Sequence, residues 1–249
     1  MREMFDIFMS FFRNPSVLGI GISILIGIVW LIFYRSPKIK KLKYWMLFFT
    51  SGLLGLIGLA FLQYPLNQLL GFFMKSIWTD TELQKNILVV GIFSVLIGGY
   101  SQESAKIIPL VINWIFKKKN MSTKEGLIAG AVSGAGFGVF EAQWMLNRLF
   151  SAGWTWADVS EKGIIALIPF WERFFAVGGH IAFSALVGYG ISKGKGWRFF
   201  LLAGLLHATL NYSAFLLRAG LLTFIHVELW VAIFSAGLTI VILTKIKEE

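Results

Sequence analysis

Long apolar stretches without charge, separated by short polar connections, dominate this chain. Uncharged runs of about 18 or more residues recur, which is enough for a helix to cross the hydrocarbon core of a bilayer. We place about seven transmembrane helices, at roughly 15–34, 43–63, 86–116, 124–149, 164–191, 197–217 and 224–244. The pattern therefore predicts an all-α, polytopic transmembrane helical bundle.

Three segments fit this pattern less simply. Residues 1–14 mix Phe and Ile with charges, which predicts a short helix lying in the membrane interface. The segment Leu66–Trp78 is too short to cross and is predicted to lie at the interface as well. Polar residues interrupt the third span and Pro109 follows them, so this span is either one long tilted helix or a kinked one.

Charged residues in the connections predict the orientation. The connections after spans one, three and five, and the tail after span seven, are basic, which is typical of the cytoplasmic side. They contain Arg35, Lys38, Lys40, Lys41 and Lys43; Lys117, Lys118, Lys119 and Lys124; Lys193, Lys195 and Arg198; and Lys245 and Lys247. The alternate connections carry Asp80, Glu82, Asp158 and Glu161. This alternation predicts a single third span, an external N-terminus and a cytoplasmic C-terminus.

Composition narrows the class of protein. Hydrophobic residues make up 57% of the 249 and the mean hydropathy is +0.73, more apolar surface than a soluble domain needs. We therefore expect residues 1–249 to form one membrane domain of a multi-pass protein, with lipid as a partner, in the bacterial cytoplasmic membrane. The net charge of +10 lies in short clusters rather than in a nucleic-acid-binding stripe, so no nucleic acid is expected. The absence of cysteine excludes disulfides, thiolate nucleophiles and Cys-ligated zinc.

Several ionisable residues fall within the predicted spans, where each costs at least about 2.5 kcal/mol on insertion scales. In span three, Gln102 and Glu103 lie four and three residues before Lys106, which places both acceptors on the face of the lysine. A buried ion pair that only joins helices is an equally good interpretation of these residues alone.

Spans four to six add further polar groups. Span four carries a ridge of glycines at four-residue spacing, which allows close helix packing and places Glu141 toward the bundle interior. The ridge consists of Gly126, Gly130, Gly134 and Gly138. Span five contains Glu172, Arg173 and, two turns after the arginine, His180. Span six places His207 and Asn211 on one face, where they can hold a water, a metal or a substrate carbonyl.

Four helices thus bring polar groups to the middle or outer half of the membrane, which predicts a wet polar chamber. Carboxylates there can act as a general base on water, and imidazole and amide groups can polarise a carbonyl or stabilise an oxyanion. Hydrolysis of an amide fits this set of groups without a cofactor.

These residues resemble the motifs of the PrsW and YhfC intramembrane proteases, within the wider superfamily of CAAX prenyl endopeptidases and bacteriocin-processing enzymes. The resemblance covers about residues 86–217. One of its matching strings, ERFFAVGGHIAFS at 172–184, favours YhfC over PrsW. The matching strings are QESAK at 102–106, GAGFGVFEA at 134–142, ERFFAVGGHIAFS at 172–184 and HATLN at 207–211.

The resemblance implies peptide-bond hydrolysis in or beside the membrane, on a membrane-protein or peptide substrate. In this alignment of motifs, Gln102 and Glu103 correspond to the family's pair of glutamates, and Lys106 corresponds to the basic residue that follows them. The family's F-x-x-x-Glu motif falls on Phe137 and Glu141, and its histidines and final Asn/Asp fall on His180, His207 and Asn211. Gln102 departs from the family, because an amide cannot act as a general base.

Family members have been described both as metalloproteases and as glutamic-type proteases. We expect a metal-free site, because the candidate ligands lie on four helices without a local pair such as H-E-x-x-H. Zinc is the alternative cofactor, and His180, His207 and Glu141 would then be its ligands.

The sequence therefore predicts a glutamate-dependent intramembrane endopeptidase. Glu103, assisted by Glu141, would activate water, while His180, His207 and Asn211 bind the reacting carbonyl and its oxyanion. The supporting residues would be Lys106, Glu172 and Arg173. Two alternatives remain at this point: a catalytically inactive membrane scaffold, which Gln102 motivates, and a small transporter with a proton relay. Repeated halves typical of transporters are not found in the sequence.

Overall fold

The computed structural model describes residues 1–34, 41–117 and 120–248, and within them it contains helices and no strand. Arg35, Lys38, Lys40, Lys118 and Lys119 lie outside the described residues. The helices are α1 (Arg2–Ser10), α2 (Val17–Phe33), α3 (Leu42–Gly58), a π-helical segment (Leu59–Gln63), α4 (Tyr64–Ile77), α5 (Asp80–Lys85), α6 (Ile87–Phe116), α7 (Thr123–Ser151), α8 (Trp156–Lys162), a 3-10 segment (Gly163–Leu167), α9 (Ile168–Ser192), α10 (Gly196–Arg218) and α11 (Phe224–Glu248).

The expected all-α class is confirmed for the described residues, and each of the seven predicted spans coincides with a helix. Five helical stretches there are long and apolar enough to cross a membrane: Leu42–Ile77, Ile87–Phe116, Trp156–Ser192, Gly196–Arg218 and Phe224–Thr244. The 17-residue α2 is apolar but shorter, and the 29-residue α7, rich in glycine, is not among the five. The chain is therefore a helical membrane protein of the multi-pass type.

Two ambiguous segments are resolved as continuous helices. The third span is one helix, α6, which contains Pro109 in its interior. The segment predicted to begin at Leu66 as a separate element instead continues α3 through the π-helical segment into α4. Pro65 lies directly after the π-helical segment, an irregularity of the kind that accompanies proline in otherwise continuous helices.

The core is built by close packing of α7 against α9, the most extensive contact between two helices in the described residues. The glycine ridge of α7 lies in this contact. A Cβ on Gly130 would meet the Cα of Ala185 at 2.7 Å, and a Cβ on Gly134 would meet the Cα of Ile181 at the same distance. The backbones of α7 and α9 therefore touch where larger side chains would separate them.

Basic side chains gather at one end of the bundle. Lys117, which follows α6, pairs with Glu125 in the first turn of α7, with Lys117 Nζ 2.7 Å from Glu125 Oε2. Lys43 near the start of α3 lines the same surface recess as Lys117. Helices α3 and α7 both begin at this end, so the π-helical segment and the last turns of α7 lie at the opposite end.

Candidate active site

The centre of the bundle holds a buried carboxylate shared by two cationic or basic partners. Glu103 on α6 contacts the Nζ of Lys106 through its Oε1, one helical turn along the same face, as the spacing predicts. The same oxygen lies 2.8 Å from Nδ1 of His207 on α10. All three side chains are at most 2% exposed. Oε2 of Glu103 makes no hydrogen bond to the described residues, so it remains available to a water molecule.

A second carboxylate lies on the other side of His180. Nε2 of His180 is 3.0 Å from Oε2 of Glu141, and its Nδ1 is 3.3 Å from Nζ of Lys106. Because a carboxylate accepts and an ammonium donates, these contacts select the tautomer with hydrogen on Nε2. Arg173 also donates to Glu141, with NH1 3.2 Å from Oε2, and it pairs with Glu172 beside it in α9. These charges form a chain of alternating sign.

Aromatic rings and a serine enclose the lysine and the histidines. Phe183 stacks on His207 with ring centroids 5.1 Å apart, and Phe137 meets His180 edge-on at 4.7 Å. The ammonium of Lys106 lies 5.1 Å from the Phe137 centroid, which adds a cation–π attraction in a buried environment. Oγ of Ser133 donates to the backbone carbonyl of Lys106 at 2.9 Å. The side chains of the site are thus enclosed by ring contacts and by a hydrogen bond to the backbone of α6.

Two residues that the sequence placed in the site lie apart from it. Gln102 is buried one helical turn before Lys106, but its Nε2 donates to Oε1 of Gln63 at 3.0 Å rather than to the Glu103 group. Asn211 is exposed, and its side chain makes no hydrogen bond to any described residue. Helical spacing predicts which residues share a face of a helix. It does not predict which neighbouring helix packs against that face or how much of the face it covers.

The structure also changes the candidate metal ligands. Donor atoms of Glu103, His180 and His207 lie within 4.8 Å of one another, whereas the sequence grouped Glu141 with the two histidines. Glu141 instead binds the far nitrogen of His180. A carboxylate in that position orients a ligating imidazole, as outer carboxylates do in many zinc sites. The donor set, two imidazoles and one carboxylate oxygen, is one that zinc accepts in hydrolytic enzymes.

Sequence reasoning missed two polar residues near the site. Gln63, in the π-helical segment, is the partner of Gln102. Glu228 on α11 is buried. Its backbone carbonyl accepts a hydrogen bond at 3.4 Å from Nε1 of Trp171, the residue that directly precedes Glu172. A signal existed for Glu228, because it is the one carboxylate within the apolar span predicted at 224–244. Gln63 gave little signal, since it falls at the end of a predicted span, where polar residues are ordinary.

Comparison with known proteins assigns the sequence that forms this site to a family. The family model of the PrsW family intramembrane metalloproteases matches residues 40–238, about four-fifths of the chain, and it includes every residue of the site described above. No curated protein matches the chain, and no solved structure matches it. The match covers α3 to most of α11, which carry the buried carboxylates and both histidines. The chain therefore belongs to the PrsW family of intramembrane metalloproteases.

Proposed function

We propose that this chain is an endopeptidase that cleaves a membrane protein or membrane-associated peptide inside the bilayer by activating water. The observation that carries the proposal is the buried contact of Glu103 with both Lys106 and His207. Structural ion pairs rarely combine a carboxylate, an ammonium and two imidazoles in one buried cluster, whereas hydrolysis uses all of these groups. The PrsW family supplies the reaction class.

In the proposed reaction, the attacking water binds to Oε2 of Glu103, while Nδ1 of His207 holds Oε1 of the same carboxylate. The hydrogen bond from His207 Nδ1 to Glu103 fixes the tautomer that leaves Nε2 free to accept. Glu103 takes one proton as the water oxygen attacks the carbonyl carbon, and it returns this proton to the leaving amine when the C–N bond breaks. The ammonium of Lys106 stabilises the oxyanion that forms between these two steps.

His180, Glu141 and Arg173 hold this arrangement in place. Both ring nitrogens of His180 are engaged, so it positions Lys106 rather than the substrate. Glu141 keeps His180 in the required tautomer, and Arg173, paired with Glu172, balances the charge of Glu141. We assign Asn211 a contact with the substrate chain, because its side chain is exposed and free of protein partners in the described residues.

Replacing Gln102 by Glu distinguishes this enzyme from an inactive scaffold. Because Gln102 bonds to Gln63 and not to the Glu103 group, we expect Gln102→Glu to leave the rate of peptide release within about threefold of the wild type, the scale of one hydrogen bond. Peptide release from membranes by the two chains at equal expression measures this. A gain of orders of magnitude would instead show that the natural residue disables the enzyme.

A metal-dependent reaction is the second candidate, favoured by the donor set of Glu103, His180 and His207. These residues fit zinc in number and type, and they would hold the ion if the ammonium of Lys106 moved from its place against Glu103 and His180. When bound, zinc would polarise the carbonyl and make its bound water acidic. Glu103 would then be a ligand, and Glu141 would orient His180 from behind.

The zinc content of the purified chain separates the two candidates. Lys106→Met removes the competing cation, so in a zinc enzyme it keeps or raises bound zinc. In the metal-free reaction it removes the group that stabilises the oxyanion, so activity is lost. We expect substoichiometric zinc in the wild type and an inactive Lys106→Met chain. One zinc per wild-type chain, lost in His207→Ala, would establish the metal-dependent reaction.

We further propose that all seven predicted spans cross a cell membrane, with the N-terminus outside. The cluster of Lys43, Lys117 and Glu125 at one end of the bundle supports a common side for the basic connections. The glycine-rich α7 crosses although it is not among the most apolar helices, because α9 covers its polar and small residues. Protease accessibility of tags at both termini in sealed vesicles tests this orientation.

The proposed activity is tested by comparing peptides derived from membranes of cells that express the wild type or His207→Ala. Peptides that disappear in the variant would support the protease and identify its substrate. Identical sets of peptides from equal amounts of the two folded chains would overturn the proposal.

A further inference from the structure

A cleft opens at the end of the bundle opposite the basic connections. It lies between α1, the π-helical segment with the start of α4, and the last turns of α7, and its volume is about 690 Å³. This volume is within the range of about 300–1,000 Å³ that is typical of ligand sites. Residues that line it include Ile7, Phe11, Leu59, Gln63, Trp144 and Asn147.

Two side chains that line this cleft each carry a buried donor without a partner among the described residues. Asn147 is 2% exposed, and its Oδ1 accepts from the backbone N–H of Ser16 at 3.0 Å, which fixes the amide orientation. Nδ2 of Asn147 is left buried and unpaired, and so is Nε1 of Trp144 one turn earlier. An unpaired buried donor costs about 1–3 kcal/mol, so a ligand that brings acceptor oxygens here is stabilised.

The chemistry of the lining favours neutral acceptors. Both free donors are uncharged N–H groups. Of the two arginines that line the cleft, Arg13 is paired with Asp6 at 3.6 Å, and Arg148 packs over the ring of Trp144 at 5.2 Å from its centroid. A phosphate would be expected to meet free, converging cations. Backbone carbonyl oxygens of a polypeptide supply the neutral acceptors that the two N–H groups require.

One wall of the cleft is linked by a hydrogen bond to the neighbour of Glu103 on α6. Gln63 lines the cleft and accepts the hydrogen bond from Gln102, which directly precedes Glu103 on α6. The Oε1 of Gln102 is a third buried polar atom without a partner among the described residues. A chain lying in the cleft would therefore approach the Glu103 group past this pair of glutamines.

We infer that the cleft is a subsite for an extended polypeptide segment of the substrate, next to the bond that is cleaved. A small adjustment of the Trp144 and Asn147 side chains on binding lets Nε1 and Nδ2 donate to its backbone carbonyls, and the apolar walls of Ile7, Phe11 and Leu59 contact its side chains. Recognition of the backbone makes this subsite tolerant of sequence. The inference rests on the proposed function, because it names the part of the substrate that this cleft holds.

Photo-crosslinking in membranes tests this subsite and identifies the bound chain in the same experiment. A benzophenone amino acid replaces Leu59 in the full-length Glu103→Gln chain, which is expected to bind substrate without cleaving it. The matched control carries the same probe at Phe72, which is 70% exposed and outside the cleft. Mass spectrometry then identifies what each probe captures.

We expect polypeptide adducts at position 59 that are absent at position 72. Trp144→Phe removes the N–H but keeps a ring against Phe11, and Asn147→Asp keeps the acceptor for Ser16. Each change should reduce the polypeptide adducts by about 2- to 10-fold, the scale of one lost hydrogen bond. Trp154→Phe is the matched control, because Nε1 of Trp154 already donates to the carbonyl of Ala166. This change should leave the yield of polypeptide adducts unaltered.

Adducts with phospholipid alone, or polypeptide adducts that neither Trp144→Phe nor Asn147→Asp reduces, would overturn the inference. The two failures are separable. If captured polypeptides have the same length in cells with the wild type and with Glu103→Gln, the subsite stands and the proposed proteolysis fails. If wild-type proteolysis is intact but position 59 captures only lipid, the proteolysis stands and the subsite fails.

Discussion

Glu103→Gln is expected to reduce peptide release by a factor between about 100 and 10,000, the range typical of a lost general base. The amide has nearly the same shape and can still contact His207 and Lys106, so the helices should remain in place. It cannot take a proton from water. The measurement is the initial rate of peptide release by equal amounts of purified wild type and variant in liposomes.

The control for this change is Glu161→Gln, which removes an exposed carboxylate from α8. It should retain the wild-type rate, because Glu161 lies outside the candidate site. Thermal unfolding monitored for all three chains shows that differences in rate do not come from loss of folded protein. A Glu103→Gln chain that is folded and fully active would remove Glu103 from the mechanism.

Gly134→Ala is expected to lower both stability and activity, although it adds only one methyl group. The new Cβ would meet the carbonyl oxygen of His180 well under 3.0 Å and the Cα of Ile181 at 2.7 Å. Backbone atoms cannot rotate away, so α9 must shift and take His180 with it. Overpacking of this kind costs about 1–3 kcal/mol, which thermal unfolding of the purified chains detects.

Gly21→Ala in α2 is the matched control, since no heavy atom lies within 4 Å of the Cβ it would gain. It should unfold at the wild-type temperature or slightly above it, because alanine is the better helix former. If Gly134→Ala behaves like Gly21→Ala in both unfolding and activity, the close contact of α7 with α9 does not position the site.

Much of the fold follows from the sequence because bilayer crossing demands long apolar helices whose ends are marked by charge. The helices α6, α7, α9 and α10 lie where the apolar runs predict them. The contact of Glu103 with Lys106 follows from a three-residue step, and the inward orientation of Glu141 follows from its position near the face of the glycine ridge. These features depend only on local helical geometry.

The remaining features depend on how separate helices meet, which spacing along one helix does not determine. The sequence could not show that Gln102 turns toward Gln63, because the two residues lie on different helices. Nor could the sequence show which carboxylate faces which nitrogen of His180. That contact depends on the χ2 angle of His180 and on the relative depth of the packed helices in the membrane. The grouping of Glu103, rather than Glu141, with the histidines therefore required the three-dimensional structure.

The origin of the oxygen in the cleaved product tests the central claim most directly. Membranes with the wild type or with Glu103→Gln are incubated in water enriched in ¹⁸O, and peptides are analysed by mass spectrometry. We predict peptides whose new C-terminal carboxylates carry one ¹⁸O atom with the wild type, and none of these peptides with Glu103→Gln. The same labelled peptides in both membranes, or none in either, would contradict hydrolysis by this chain through Glu103.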